Sequence, residues 1–190
     1  MKKYLGIVII ALIFLCGTAQ GSDLTISYGE DTWNESLCSK GVETHALEID
    51  FKTPYNEWLD YGVATNWVWS KTDPGRTING DAYFGGTDIS LILAGRLTAH
   101  KKISKRVFVE GFGGFGLMFL DRQPEMGPRH LVGNFGARIG YEFDGWSIVY
   151  TIEDHWSVPG YKSDKGHNRH LIGIRIPFSF FSRKEKSNAV

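Results

Sequence analysis

The sequence predicts an all-β protein, an eight-stranded antiparallel up-and-down transmembrane β-barrel. Three observations support this prediction. Eight segments alternate apolar residues with small or polar ones at a period of two, which is the spacing of β-strands. The connections between them alternate long and short, as in bacterial outer-membrane barrels. Finally, the first 21 residues have the layout of a secretory signal peptide.

The N-terminal segment begins with Lys2 and Lys3, continues with an apolar run from Leu5 to Leu15, and ends in small residues up to Gly21. This run is shorter than the roughly 20 residues that a membrane-spanning helix needs. We therefore expect it to be removed after export. The chain then divides into a signal peptide (1–21), a barrel (22–181) and a polar C-terminal tail (182–190).

The two cysteines and the net charge limit the possible classes of protein. Cys16 leaves a lipoprotein open as an alternative, although the bulky residues before it do not suit lipid attachment. Cys38 is alone after residue 21, so it is a loop thiol or forms an intermolecular bridge. Removing Lys2 and Lys3 from 21 basic residues leaves 19 against 21 acidic ones. A balance this close to neutral argues against a nucleic-acid partner.

Five strands are predicted before residue 120. Segment 24–29 alternates weakly, whereas 42–51, 59–69 and 88–99 each set apolar side chains on one face against polar or small ones on the other. Segment 106–119 alternates less cleanly, and its glycines indicate a curved or bulged strand.

Three strands follow, and they alternate most clearly. Segments 131–143 and 146–156 are separated by Asp144-Gly145, and Asp-Gly between alternating strands is a strong hairpin signal. The last strand begins near His170 and places Ile or Phe at every second position from 172 to 180. The predicted long connections are 30–41, 70–86, 120–130 and 157–169, and the short ones are 53–58, 100–105 and 144–145.

Charged residues within the strands lie on the polar face. An Arg facing lipid at mid-membrane costs roughly 2–4 kcal/mol, so we expect this face to line the barrel interior, where the charges can pair. The alternative is a soluble lipocalin-like barrel, in which the apolar face points inward. The charged residues concerned are Glu48, Asp50, Arg96, Arg138, Glu142, Glu153 and Arg175.

A candidate site lies where the seventh strand ends. His155 and Ser157 are two residues apart, so on a strand they point to the same side. A serine becomes a nucleophile when a neighbouring imidazole, itself oriented by a third group, takes its proton. The antiparallel last strand returns Asn168, Arg169 and His170 close to this pair. Simple alternation puts the pair on the interior face, and a β-bulge would turn it toward lipid.

The C-terminal half resembles the lipid A 3-O-deacylases of Gram-negative outer membranes and their acyloxyacyl-hydrolase-like relatives. The stretches that carry the resemblance are "FVEGFGGFG" (108–116), "LVGNFGARIGYEF" (131–143) and "IEDHWSVPGYKSDKGHNRHLIGIRI" (152–176). The resemblance implies that His155 is the base, that Ser157 is the nucleophile, and that Asn168 occupies the position of the acid that orients the base.

Two features depart from the family pattern. Val158 follows the serine where the family often has Asn, and "SDKG" stands where the family has a Pro-Asn-x-Gly turn. The asparagine that helps to bind the oxyanion is therefore absent or replaced by Asp164 or Lys165. Asn168 can hold a histidine tautomer but cannot stabilise an imidazolium by charge. Asp164, Glu153 or Asp154 could take the place of the orienting acid, although none of them aligns with the family position.

The implied function is a serine esterase of the Gram-negative outer membrane that removes an ester-linked acyl chain from lipid A. Its partner is the lipid A of outer-leaflet lipopolysaccharide, and the chemistry needs no cofactor or metal. A metal site at His155, His167 and His170 is a weaker alternative, because these residues lack a compact ligand spacing. The remaining alternative is a catalytically inactive barrel with a structural or adhesive role. We also expect loop cations to pair with lipid A phosphates; these are Lys71, Arg76, Lys162, Lys165 and Arg169.

Overall fold

The computed structural model of the chain describes residues 21–33, 42–72, 77–78, 81–82, 86–121, 128–157 and 167–177. Eight antiparallel strands close into a barrel, which confirms the predicted fold class. These strands are β1 (Asp23–Trp33), β2 (Val42–Pro54), β3 (Leu59–Thr72), β6 (Gly86–Lys102), β7 (Val107–Asp121), β8 (Pro128–Phe143), β9 (Trp146–Ser157) and β10 (His167–Pro177). Around the barrel they follow the order β1-β10-β9-β8-β7-β6-β3-β2. A separate ribbon pairs β4 (Thr77–Ile78) with β5 (Asp81–Ala82). No helix in these ranges is long and apolar enough to cross a membrane.

The barrel has two distinct ends. The short turns 55–58, 103–106 and 144–145 lie at one end, which we call the turn end, and the long connections leave from the other, which we call the loop end. The strands extend further toward the loop end than predicted; β1, for example, continues to Trp33. The signal peptide, most of the long loops and the chain beyond residue 177 lie outside the described residues.

The outer wall of the barrel is apolar and the lumen is polar. Ile172 on the wall is 64% exposed, whereas Arg138 in the lumen is 2% exposed. Of the charged residues predicted to face inward, all are buried except Glu142, which is half-buried at the turn end. The apolar face therefore points outward, which excludes the lipocalin-like alternative and suits a barrel surrounded by lipid.

Ion pairs fill the lumen from the turn end toward the loop end. Lys52 pairs with Asp60 and with Glu110, each at 2.7 Å, and Arg175 meets Glu110 at 2.6 Å. Arg96 continues the network, meeting Glu48 at 2.8 Å and also pairing with Glu153. Among the described residues, five Asp or Glu and five Lys or Arg side chains are buried, so their formal charges balance when His155 is neutral. They are Glu48, Asp50, Asp60, Glu110, Glu153, Lys52, Arg96, Arg138, Arg169 and Arg175.

Two phenylalanines of β7 also point into the lumen and account for part of the glycine-rich pattern. Phe112 lies under both Arg96 and Arg138, whose guanidinium carbons are 4.6 and 5.3 Å from the ring centroid. Phe108 lies over Gly140 of β8, where a Cβ atom would overlap its ring. The bulge predicted in this strand occurs between Met118 and Phe119, beyond the glycines.

Candidate functional site

The site predicted on β9 lies on the lumen side of the barrel wall. His155 pairs across the sheet with Asn134 of β8 and with His167 of β10. The described β8–β9 and β9–β10 pairings show no register shift, so alternation continues to His155, which is 1% exposed. The bulge that would have turned His155 toward lipid is thus not found in these pairings.

The imidazole of His155 joins the lumen ion network at its loop-end side. Its Nε2 lies 2.8 Å from Oε1 of Glu153 and 3.1 Å from Nη1 of Arg169. The same Glu153 oxygen accepts a hydrogen bond from Nδ2 of Asn134 at 2.8 Å and also pairs with Arg96. Glu153 therefore holds the imidazole in place, with the support of two further strands.

Nε2 of a neutral imidazole is either a donor or an acceptor, so it can form a hydrogen bond with Glu153 or with Arg169 but not with both. If Nε2 carries the proton, it donates to Glu153, and Nδ1 is left with the lone pair of a general base. If Nε2 accepts from Arg169, the proton sits on Nδ1 and that nitrogen cannot act as a base. Nδ1 is buried and has no hydrogen-bond partner within the described part of the chain.

Ser157 is the last described residue of β9, and its backbone pairs with Val132 of β8. The side chain of Ser157 lies outside the described residues. That it shares a face of the sheet with His155, and that its hydroxyl reaches the imidazole, therefore stay predictions from the two-residue spacing.

The structure does not bring Asn168 to His155. Asn168 pairs with Asp154 of β9 and with Thr32 of β1 and is exposed. It therefore lies on the outer wall, the face opposite to His155. The residue that contacts the imidazole is instead Glu153, which lies two positions before His155 on the same face of β9.

Arg169 was predicted to be an outer-loop cation, and this is wrong. It lies in β10, is 1% exposed and contacts His155 in the lumen, because alternation along β10 turns it inward. The other predicted loop cations, Lys71, Arg76, Lys162 and Lys165, have side chains outside the described residues.

The three histidines considered as metal ligands do not form a described cluster. His155 faces the lumen whereas His170 is exposed on the outer wall, and the side chain of His167 lies outside the described residues. Within the described ranges, no group of three His, Cys, Asp or Glu side chains is arranged to hold a metal ion.

Sequence reasoning brought Arg169 near His155 across the outer loop, but as a loop cation rather than as a lumen residue. It put Asn134 on the polar face, as it did Glu153, but did not identify Asn134 as a cross-strand neighbour of His155. The Asp144-Gly145 hairpin sets the register of β8 with β9, whereas the long β9–β10 connection leaves the register of β9 with β10 undetermined in the sequence.

Comparisons with known proteins support the fold. The sequence matches no family model and no curated protein. The N-terminal β-barrel domain of Pseudomonas aeruginosa OprF is similar, with a TM-score of 0.52 and 10% identity over 84% of this chain and 100% of that chain. The attachment invasion locus protein Ail of Yersinia pestis, solved with the heparin analogue sucrose octasulfate, has a TM-score of 0.51 and 12% identity, covering 84% and 99%. The outer-membrane enzyme PagL has a TM-score of 0.49 and 11% identity, covering 82% and 99%.

The chain is a transmembrane β-barrel of the outer-membrane type. The closed eight-stranded topology, the apolar outer wall and the likeness to the OprF and Ail barrels agree on this point. At these identities the likenesses describe the fold alone, and the PagL comparison carries no argument about the chemistry of this chain.

Proposed function

We propose that the chain is a serine esterase of the Gram-negative outer membrane that removes an ester-linked acyl chain from lipid A. The observation that carries the proposal is the contact of His155 Nε2 with Glu153 Oε1 at 2.8 Å. This contact leaves Nδ1, on the strand face shared with Ser157, to act as the base. The H-x-S spacing and the resemblance of residues 152–176 to lipid A deacylases support the choice of substrate.

The reaction proceeds in two steps. Nδ1 of His155 takes the hydroxyl proton of Ser157 while the serine oxygen attacks the ester carbonyl. The ester C–O bond breaks, the sugar hydroxyl leaves with the proton held by His155, and an acyl-enzyme remains. Water then attacks the acyl-enzyme, His155 takes its proton and returns it to the serine, and a free fatty acid is released.

Glu153 replaces Asn168 as the orienting group in this proposal. A carboxylate that accepts a hydrogen bond from Nε2–H of His155 fixes the tautomer and stabilises the imidazolium formed during the reaction. Because His155 faces the lumen, the acyl chain must reach it over the rim at the loop end rather than through the outer wall.

Mass spectrometry of lipid A tests the proposal. Cells that produce the wild-type barrel should contain lipid A lacking one acyl chain, whereas cells that produce Ser157→Ala or His155→Ala should not. Tyr141→Phe, a change on the outer wall near the turn end, serves as the matched control and should behave as wild type. Unchanged lipid A in cells with correctly inserted wild-type protein would exclude this activity.

A non-enzymatic barrel with a structural or adhesive role is the second candidate, and one observation favours it. His155 is 1% exposed and belongs to the ion network that fills the lumen, where it also contacts Arg169. In this case the imidazole accepts a hydrogen bond from Arg169 and helps to fill the lumen. His155→Ala would then lower the stability of the barrel, and lipid A would be identical with and without the wild-type protein.

A further inference from the structure

A row of polar side chains crosses the outer wall of the barrel at β2, β1 and β10. Glu30 of β1 pairs in register with His45 of β2 on one side and with His170 of β10 on the other. Cross-strand partners share a face, so all three lie on the outer wall, where Glu30 and His170 are exposed and His45 is half-buried. Polar groups on a lipid-facing wall are destabilising within the hydrocarbon, so their presence indicates the headgroup level or a functional site.

A tyrosine from the adjacent level of the wall holds each imidazole. The hydroxyl of Tyr28 is hydrogen-bonded to Nδ1 of His45 at 3.1 Å, and that of Tyr150 to Nδ1 of His170 at 2.8 Å. The rings of Tyr28 and His45 stack with centroids 5.9 Å apart, and Trp69 lies 6.0 and 6.1 Å from the two. Within the described part of the chain, neither imidazole has a hydrogen-bond partner at Nε2. We call these six side chains the histidine row: Glu30, His45, His170, Tyr28, Tyr150 and Trp69.

The histidine row marks the level at which the wall changes from apolar to polar. Toward the turn end, Glu30 is followed on the same face by Tyr28 and then Ile26, and His170 is followed by Ile172 and then Ile174. Tyr and Trp gather where hydrocarbon meets headgroups. Since outer-membrane barrels place their long loops outside the cell, this level corresponds to the headgroups of the outer leaflet.

We propose that the histidine row binds a hexose ring in the saccharide headgroup of an outer-leaflet glycolipid, through the hydroxyls and C–H face of the sugar rather than through a phosphate. Flat aromatic rings suit the C–H face of a sugar. The Glu30 carboxylate accepts hydrogen bonds from sugar hydroxyls, and Nε2 of each imidazole donates one to a hydroxyl or accepts one from it. The negative charge of Glu30, placed between the two histidines, disfavours a phosphate at the same point. Charge and shape therefore select the sugar rather than an anionic phospholipid.

This inference requires only the transmembrane barrel and is independent of the esterase proposal. The histidine row and His155 lie on opposite faces of the sheet, and Ser157→Ala leaves the row intact. Loss of esterase activity and loss of glycolipid binding are therefore separable in one set of variants.

Native mass spectrometry of the mature full chain in detergent tests the proposal with three added lipids. Lipid A and the neutral glycolipid monogalactosyldiacylglycerol should both bind more tightly than phosphatidylglycerol, so that a lower concentration of added lipid gives the same bound fraction. The variants His45→Phe and His170→Phe keep the ring but remove the nitrogens, and each should weaken binding of both glycolipids about fivefold, as expected for one lost hydrogen bond.

Tyr141→Phe near the turn end is the control, since it removes a wall hydroxyl far from the histidine row, and it should bind both glycolipids like wild type. Heat-modifiable migration on gels verifies that each variant is folded. Equal retention of phosphatidylglycerol and the glycolipids by the wild type would overturn the proposal even if a variant failed to fold. Retention of lipid A but not of the galactolipid would assign binding to phosphate and overturn it as well, as would unchanged glycolipid binding by both folded histidine variants.

Discussion

Nη2 of Arg138 lies 2.8 Å from Oε1 of Glu48, although β8 and β2 stand on opposite sides of the eight-stranded ring. Nη1 of the same guanidinium lies 3.0 Å from Asp50 and 3.3 Å from Glu110. One side chain therefore connects three strands across the lumen. Because all four groups are buried, each carboxylate relies on Arg138 for part of the compensation of its charge, beside its contacts with Arg96, Lys52 or Arg175.

Arg138→Met should strongly destabilise the barrel. The substitution keeps much of the side-chain volume but leaves three buried carboxylates without their shared cation, and breaking a buried pair in this way costs about 3–5 kcal/mol. Urea unfolding in detergent micelles measures the loss. Lys102→Met is the control: Lys102 pairs with Glu142 at 2.8 Å but is 64% exposed, and an exposed pair contributes about 1 kcal/mol or less. Equal losses in the two variants would contradict the central role of Arg138.

The double variant Arg138→Met/Glu48→Gln should be less destabilised than the sum of the two single variants. Removing the carboxylate together with its cation avoids leaving one charge buried alone. A double-mutant cycle measures this difference, which we expect to be about 0.5–3 kcal/mol for directly contacting groups. Strict additivity would show that Arg138 and Glu48 are each compensated by other neighbours.

Two glycines of β7 should respond differently to alanine. A Cβ on Gly114 would overlap the carbonyl oxygen of Gly95 on the neighbouring strand, whereas a Cβ on Gly111 would meet nothing within 4 Å. Gly114→Ala should therefore destabilise the barrel by about 1–3 kcal/mol, because backbone must shift to relieve the overlap. Gly111→Ala should be neutral or slightly stabilising, since it reduces the freedom of the unfolded chain. Urea unfolding of both variants under the same conditions distinguishes them, and a greater loss at Gly111 would refute the assigned contact.

The fold was predictable because each strand must satisfy lipid on one side and a crowded lumen on the other. This requirement produces alternation with a period of two along each strand. That alternation correctly predicted the lumen positions of Arg138 and Glu153. The strand ends were not predictable to the same accuracy. Beyond the bilayer the outer face becomes polar, as at Glu30 and Asn168, so the alternation fades while the hydrogen-bonded ladder continues.

The candidate site was predictable only in part. The period of two gave the lumen face of His155, and the Asp144-Gly145 hairpin sets the register of β8 with β9. The contact of the imidazole with Arg169 depends on the register of β9 with β10, which the long β9–β10 connection does not fix. The last strand was predicted to begin near His170, which left Arg169 in the loop. Because β10 begins at His167, Arg169 belongs to the strand and faces the lumen. The same alternation places Asn168 outside, which sequence alignment with a family pattern could not reveal.

The last prediction distinguishes two candidate orienting groups of His155, namely Glu153, which contacts it, and Asn168, which the family resemblance implies. If His155 acts as the base of an esterase, Glu153→Gln should lower lipid A deacylation by about 10²-fold or more, because the amide can no longer stabilise the imidazolium. Asn168→Ala should leave deacylation unchanged, since Asn168 lies on the opposite face of the sheet. Release of free fatty acid from lipid A by purified, folded barrels measures both, with heat-modifiable migration as the check on folding. The reverse outcome, with Asn168→Ala inactive and Glu153→Gln active, would mean that the working enzyme turns His155 to the outer wall.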